Sequence, residues 1–417
     1  MSAAPGGPAA QLAAFFAPDP AARLGVAVSG GSDSLALLTL LKDWRDAGGP
    51  ELEAVTVDHG LRPEAACEAA EVARLCARWQ IPQQTLRWQG WDGTGNLADR
   101  ARRARYALIA EWATARGLPA VALGHTADDQ AETFLMRLSR EAGLDGLSAM
   151  RPEWHHAGTR FLRPLLGTTR DELKALLTAR GLPWANDPTN ENEAYARPRA
   201  RKALSALTPL GIDAQTLAAV SRHLATARDA LDATMAEAAR RVARIELGDV
   251  LIERHGLDAL PPEIARRLLL SALLWVSGAE YPPRAAALDR ARATLARGKP
   301  ATLHGCRLAP AGDNLRIARE PRAVAGHRVA PDALWDGRWR LTGPEAPGAE
   351  LRALGQEGLR LCPARKNSPL PAASLRASPA LWRGEALLSA PLAGLENGWR
   401  AEPLRRNDHD FAALLSH

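Results

Sequence analysis

Apolar positions change their spacing along the 417 residues. Up to about residue 205, short unbroken apolar or β-branched runs alternate with stretches in which apolar residues recur every three or four positions. Residues 24–28 (Leu-Gly-Val-Ala-Val), 54–57 (Ala-Val-Thr-Val), 84–88 and 120–123 (Ala-Val-Ala-Leu) read as strands. Helical spacing covers 34–45, 63–79, 97–116 and 128–138. The alternation predicts an α/β fold whose parallel sheet is covered by helices on both faces. Such sheets bind ligands at the carboxyl ends of their strands. Three loops leave those ends, 29–34, 58–62 and 124–129, and each is rich in Gly, Ser, Asp or His.

Past residue 205 the pattern is different. Residues 212–300 are rich in Ala, Leu and Arg at helical spacing, broken by paired prolines at 261–262 and 282–283. A Pro/Gly-rich stretch at 321–348 marks a boundary. The tail to residue 417 carries four of the twelve tryptophans and reads as a small mixed or β domain. The expected division is a catalytic domain at 1–205, a helical domain at 206–320 and a small C-terminal domain at 321–417.

Composition narrows the class. Apolar residues make up 46% and charged residues 24%, which suits a soluble globular chain and argues against wholesale disorder. No stretch approaches the ~18 uncharged apolar residues of a membrane span. The first residues lack a basic segment ahead of their apolar part, so no secretory signal is expected and a cytoplasmic location is. Cysteines stand at 67, 76, 306 and 362 with no C-x-x-C pair, which fits neither a disulfide framework nor a zinc site. The formal charge is +6, and residues 195–244 hold nine Lys/Arg against four Asp/Glu. Nearly the whole excess thus lies in one window, as expected of a footprint on a phosphate backbone; a solvated helix face is the alternative.

The chemistry-bearing segment is Ser29-Gly30-Gly31-Ser32-Asp33-Ser34, between a predicted strand and a predicted helix. Glycines let backbone N–H groups approach a phosphate, the helix start adds free donors and positive dipole, and the serines add hydroxyls. It lacks the lysine of G-x-x-x-x-G-K-[ST] and is not G-x-G-x-x-G. A tight turn with helix-capping Ser and Asp is the bland alternative.

The segment resembles the PP-loop signature of the ATP pyrophosphatases, which cleave ATP between the α and β phosphates to adenylate a substrate. Further segments follow in order: Val57-Asp-His-Gly-Leu-Arg62, Ala101-Arg-Arg-Ala-Arg-Tyr106, Gly124-His-Thr-Ala-Asp-Asp-Gln-Ala-Glu-Thr133, Arg163-Pro-Leu-Leu166, Asn186-Asp-Pro-Thr-Asn190 and Tyr195-Ala-Arg197. Together they resemble the tRNA(Ile)-lysidine synthetase family across residues 24–205. The resemblance implies adenylation of the wobble cytidine's C2 oxygen in a CAU-anticodon tRNA(Ile), then displacement of AMP by the ε-amine of free L-lysine. The product, lysidine, changes codon reading from AUG to AUA. The partners implied are that tRNA and lysine, with no membrane, in a monomer or homodimer. The second and third regions would contact tRNA.

The residues suit this chemistry. Ser29 to Ser34 can hold the βγ phosphates as pyrophosphate leaves. Asp33 and Asp58 would repel a polyphosphate unless Mg²⁺ bridges them, so a metal is expected at Asp33 beside the ATP. Asp128, Asp129 and Glu132 form an acidic group fit for a cationic substrate or a metal, with the bland reading of helix N-terminal acids. His125 could orient phosphate or move a proton. Arg102 and Arg105 share one helix side and could reach phosphate, tRNA or a carboxylate. In the family, an arginine near the domain's end holds the substrate lysine; Arg197, Arg199 and Arg201 are the candidates. The family usually has Asn after the first of these, whereas this chain has Pro198. The alternatives are a tRNA 2-thiolation enzyme, which the absence of paired cysteines opposes, and a non-catalytic nucleotide- or tRNA-binding protein.

Overall fold

The computed structural model describes residues 6–18, 22–61, 64–89, 91, 94, 97–185, 196–279 and 281–403. Arg62 and Pro63, the 186–190 motif and Tyr195 lie outside the described residues. The chain divides into two compact units, Met1–Arg228 and Asp229–His417. The expected boundary at 205 falls instead within a helix.

The first unit runs α1 (Pro8–Phe16), β1 (Arg23–Ala27), α2 (Ser32–Asp46), β2 (Glu51–Asp58), α3 (Glu64–Arg78), β3 (Gln83–Arg87), α4 (Leu97–Arg116), β4 (Ala120–Leu123) and α5 (Ala127–Leu138). It continues with α6 (Leu144–Leu147), β5 (Glu153–His156), β6 (Thr159–Leu162), α7 (Arg170–Ala179), α8 (Ala196–Leu207) and the start of α9 (Ala214–Val242). The sheet order is β3-β2-β1-β4-β6-β5, parallel throughout except for β5. Val26 of β1 lies between Ala54 of β2 and Ala122 of β4. The chain's path reverses between β1 and β4, which puts the loops after these two strands at the switch point where α/β sheets bind ligands.

Strand identity follows from burial. β1 and β4 are covered on both faces, and their short apolar runs have no polar alternation. One face packs Leu24, Val26 and Val28 under the leucines of α2, with Leu12 of α1 and Leu173 and Leu177 of α7. The other packs Val55 and Val121 under Tyr106, Ile109 and Trp112 of α4. The β5–β6 hairpin has no counterpart in the predicted elements. Its turn residues Ala157 and Gly158 both take positive φ, and alanine there masks a signal usually carried by Asn-Gly.

The second unit departs from the expected helical domain. The helices are present, with the rest of α9, α10 (Arg254–Asp258), α11 (Pro262–Ser277) and α12 (Ala285–Ala296). Between and after them lies an antiparallel sheet in the order β7-β8-β11-β10-β9, from β7 (Ala243–Glu246), β8 (Asp249–Glu253), β9 (Ala301–Leu303), β10 (Cys306–Ala311) and β11 (Asn314–Arg319). These strands are short, and arginines and acids interrupt them, so helical spacing dominates the sequence around them. The tail adds β12 (Arg328–Val329), β13 (Trp339–Thr342), β14 (Glu350–Ala353), β15 (Pro379–Arg383), β16 (Ala386–Ser389) and β17 (Arg400–Pro403). All four tail tryptophans are buried. Arg316 of β11 reaches Glu246 and, at 2.9 Å, Asp249, which also accepts from Ser374 Oγ at 2.6 Å. That buried network fastens the tail to the five-stranded sheet within this unit. No single helix among the described residues is long and apolar enough to cross a membrane.

Candidate active site

The loop after β1 is shaped by its small residues. Gly30 takes φ +88, a conformation that L side chains rarely adopt. Gly31 precedes the first turn of α2 in extended conformation, so the free N–H groups of that turn face the sheet edge. Ser34 Oγ donates to the Gly31 carbonyl at 3.1 Å and accepts from Ser29 N–H at 3.1 Å. The two hydroxyls of Ser29 and Ser34 lie 3.2 Å apart. The Gly30 carbonyl accepts from Ala185 N–H at 3.0 Å. Ser32 Oγ donates to Asp33 at 2.9 Å. The loop's internal bonds thus use serine hydroxyls and one carbonyl, and they leave the N–H groups of a helix start for an anion.

The loop after β4 lies directly against this one. A Cβ at Gly124 would sit 2.8 Å from the Asp33 backbone. Thr126 caps α5 in a reciprocal box: Thr126 N–H donates to Asp129 Oδ2 at 3.0 Å, and Asp129 N–H donates to Thr126 Oγ1 at 3.3 Å. Asp129 therefore has the capping duty of the bland reading while still lining the site.

Arg170, at the start of α7, is the residue that sequence reasoning missed. Its Nε donates to Asp33 at 3.1 Å, and its Nη atoms lie 3.4 Å from Glu132, 3.7 Å from Asp129 and 4.0 Å from Asp128. Its backbone N–H donates to Asp128 at 2.7 Å. Burial disfavours the guanidinium charge, but these carboxylates outweigh it and hold the pKa above its ordinary value. Burial raises Asp33, against the pull of Arg170 and Ser32. Burial would raise Asp129 too, yet His125, then Arg197, Arg170 and the Thr126 N–H, prevail and its pKa falls. The segment Gly-Thr-Thr-Arg-Asp-Glu reads locally as another capping box, which it also is, with Thr169 and Glu172. Nothing in that pattern points at the carboxylates of α2 and α5.

A second group gathers on the β4–β6 side. Arg163 is buried, its guanidinium 3.7 Å from the Trp154 ring centroid. It donates to the Arg151 carbonyl at 2.7 Å and to His125 Nδ1 at 3.2 Å. Its charge also interacts electrostatically with Tyr106. Burial pushes Arg163 down to about 10, which leaves it cationic at neutral pH. Arg102 and Arg105 approach Tyr106 at 5.7 and 5.4 Å from its ring. Burial pushes His125 down, and Arg163, Arg105 and Arg197 add to this against Asp129, to about 3. His125 is a neutral imidazole.

The remaining sequence-derived residues divide. Arg201 binds Glu132 through Nε at 3.0 Å and Nη2 at 2.9 Å. Arg197 acts electrostatically on Asp129 and His125, and Arg199 is exposed. Arg197 and Arg199 both sit in the first turn of α8, which starts at Ala196 and runs through Pro198, the proline falling where its missing N–H has no helical partner. Asp58 closes β2 and accepts from Gly60 N–H at 2.8 Å. A cavity of about 450 Å³ opens among Phe15, Gln130, Met150, Arg163, Leu166 and Ser221. No three carboxylates, imidazoles or thiols gather as a metal cage among the described residues. Asp33 offers a single carboxylate beside the loop, which fits Mg²⁺ held mainly by phosphates and water.

The glycine-serine loop at the switch point of a parallel sheet defines a PP-loop domain, and the family model for the PP-loop domain matches residues 8–207. A tRNA(Ile)-lysidine synthase of Ruegeria pomeroyi is 52% identical over 407 residues, 97% of each chain. One from Bradyrhizobium sp. is 40% identical, over 75% of this chain and 94% of its own length. The chain belongs to the tRNA(Ile)-lysidine synthase family. Among solved structures, the U34-tRNA thiolase NcsA from Methanococcus maripaludis aligns over 52% of this chain and 78% of its own, with TM-score 0.46 and 16% identity.

Arg170→Met leaves four carboxylates without their shared cation and is expected to destabilise the protein by about 3 kcal/mol. Arg170→Lys should recover only part of this, because an ammonium cannot span them as a guanidinium does. Carboxyl pKa values in the methionine variant are raised in the folded state, so its deficit should grow as pH rises above the ordinary carboxylate range and shrink in acid. Denaturant unfolding at pH 5 and pH 8 measures both. Equal stability of all three proteins would refute the dependence.

Proposed function

We propose that the chain joins free L-lysine to C2 of the wobble cytidine in CAU-anticodon tRNA(Ile), consuming ATP and releasing AMP and pyrophosphate. The observation that carries this is the meeting of an anion-binding loop and an acidic cluster at one sheet edge, in a chain of the lysidine synthase family.

The cytidine C2 oxygen attacks the α-phosphorus, and pyrophosphate leaves. Backbone N–H groups at the start of α2 meet the charge on the departing phosphates in this reading, and the hydroxyls of Ser29, Ser32 and Ser34 would join them by exchanging their internal bonds. Asp33 would hold Mg²⁺, which when bound neutralises phosphate charge. The lysine ε-amine then attacks C2, AMP leaves with the oxygen, and the amine loses a proton. Asp128, Asp129 and Glu132 give a cationic amine its counter-charge. Glu132 Oε2 has no hydrogen-bond partner among the described residues and remains able to accept one. Arg201, through Glu132, is the best supported of the three α8 arginines for the lysine pocket. The cavity beside Arg163 has the size and apolar walls suited to an extruded base. In this reading Arg102 and Arg105 meet a phosphate, and the arginines of α9 meet the tRNA backbone.

A thiolation reading gains no support from the thiols. Cys67 is exposed, burial pushes Cys76 up to about 11 and Cys306 up to about 12, and burial also raises Cys362. None of the shifted thiols is poised as a thiolate.

With radiolabelled lysine, ATP and CAU-anticodon tRNA(Ile), label is expected to enter the tRNA with matching AMP and pyrophosphate. Pyrophosphate release that requires a sulfur donor instead, or no label in RNA, would end this reading. Asp33→Ala should lower pyrophosphate release by at least about 10²-fold with an unchanged circular dichroism spectrum; near-normal turnover would refute its role. Replacing Arg222, Arg240 and Arg241 together should weaken tRNA binding and flatten its dependence on salt. An unchanged slope would count against that helix face.

A further inference from the structure

His125 is carried to the rim of the phosphate loop by its neighbour Gly124, which packs on the Asp33 backbone with no room for a side chain. The ring's orientation is set from the opposite side. Arg163 Nε lies 3.2 Å from His125 Nδ1. A guanidinium has only donors, so Nδ1 must present its lone pair. A neutral imidazole with that lone pair engaged carries its proton on Nε2.

Arg163 has little freedom to do otherwise. It is 6% exposed, stacks on Trp154 at 3.7 Å, and donates to the Arg151 carbonyl at 2.7 Å. The charges facing the ring come from four elements: Arg163 after β6, Arg105 on α4 and Arg197 on α8, against the single carboxylate of Asp129 on α5. A second proton on the ring would enter a field with three guanidiniums.

We propose that Arg163 is a positioning residue that locks His125 in the Nε2–H tautomer, so that the ring meets the nucleotide's reacting phosphate as a neutral donor and not as a proton acceptor. This rests on the ATP reading of the loop after β1. A fixed neutral donor stabilises charge that develops on phosphate oxygens without changing protonation during the step. It also excludes His125 as the acceptor of the lysine proton, and leaves that task to the carboxylates of α5.

Histidine ¹⁵N labelling of the full chain tests the tautomer without activity, with the His125 signals assigned by their loss in His125→Gln. Expected are an Nδ1 resonance in the unprotonated range and an Nε2 resonance in the protonated range, in the free protein. A protonated Nδ1, or an averaged mixture of tautomers, overturns the proposal. Arg163→Met should release the ring into such a mixture; an unaltered tautomer in a folded variant overturns the role of Arg163, and if that variant does not fold the wild-type spectrum still decides. Glutamine keeps an N–H near the Nε2 position, and alanine keeps none. Pyrophosphate release should fall about 10²-fold in His125→Ala and about tenfold in His125→Gln, in kcat more than in KM for ATP. Equal losses would overturn the donor role. Wild-type protein that releases no pyrophosphate would refute the ATP reading while leaving the tautomer result standing.

Discussion

The site depends on one guanidinium facing four carboxylates. Asp33, Asp128, Asp129 and Glu132 come from two helices that begin at the same sheet edge, and Arg170 lies within 4.0 Å of each. Like charges this close and partly buried would otherwise drive protonation or separation. The arrangement follows from how helices start. α5 and α7 both open with threonine capping boxes, which present acidic first turns and free N–H groups at the edge. Arg170 uses its own free N–H on Asp128 and its side chain on the rest. Arg201 adds a second cation on Glu132. Two guanidiniums in contact with the four carboxylates, and Arg197 acting on Asp129 from further off, keep this acidic cluster compensated.

Local pattern carried the first unit far. The runs at 24–28, 54–57 and 120–123 are β1, β2 and β4 within a residue or a few, because fully buried parallel strands need continuous apolar sequence. The glycine-serine loop was legible because backbone shape, dipole and hydroxyls all lie in six consecutive residues. Arg170 was not. Its partners are 38 to 137 positions away, and locally it is an ordinary first-turn residue. Arg197, Arg199 and Arg201 could not be ranked from sequence, since each sits two positions from the next; helix rotation is what brings Arg201 onto Glu132.

The second unit shows the opposite failure. Between residues 243 and 319 the strands are three to six residues long and carry arginines and acids. Their polarity is partly internal: Arg316 and Asp249 are both buried, each compensating the other. A binary reading takes such positions for a solvated helix face, because only tertiary pairing makes them tolerable inside.

The abutment of Gly124 on the Asp33 backbone has a mechanical meaning. Two polypeptide segments in van der Waals register, with no side chain between them to take up slack, transmit displacement directly. Any shift of the serine loop as it wraps an anion must be felt one peptide away by the imidazole. The serine loop and the imidazole are thereby mechanically joined across the switch point.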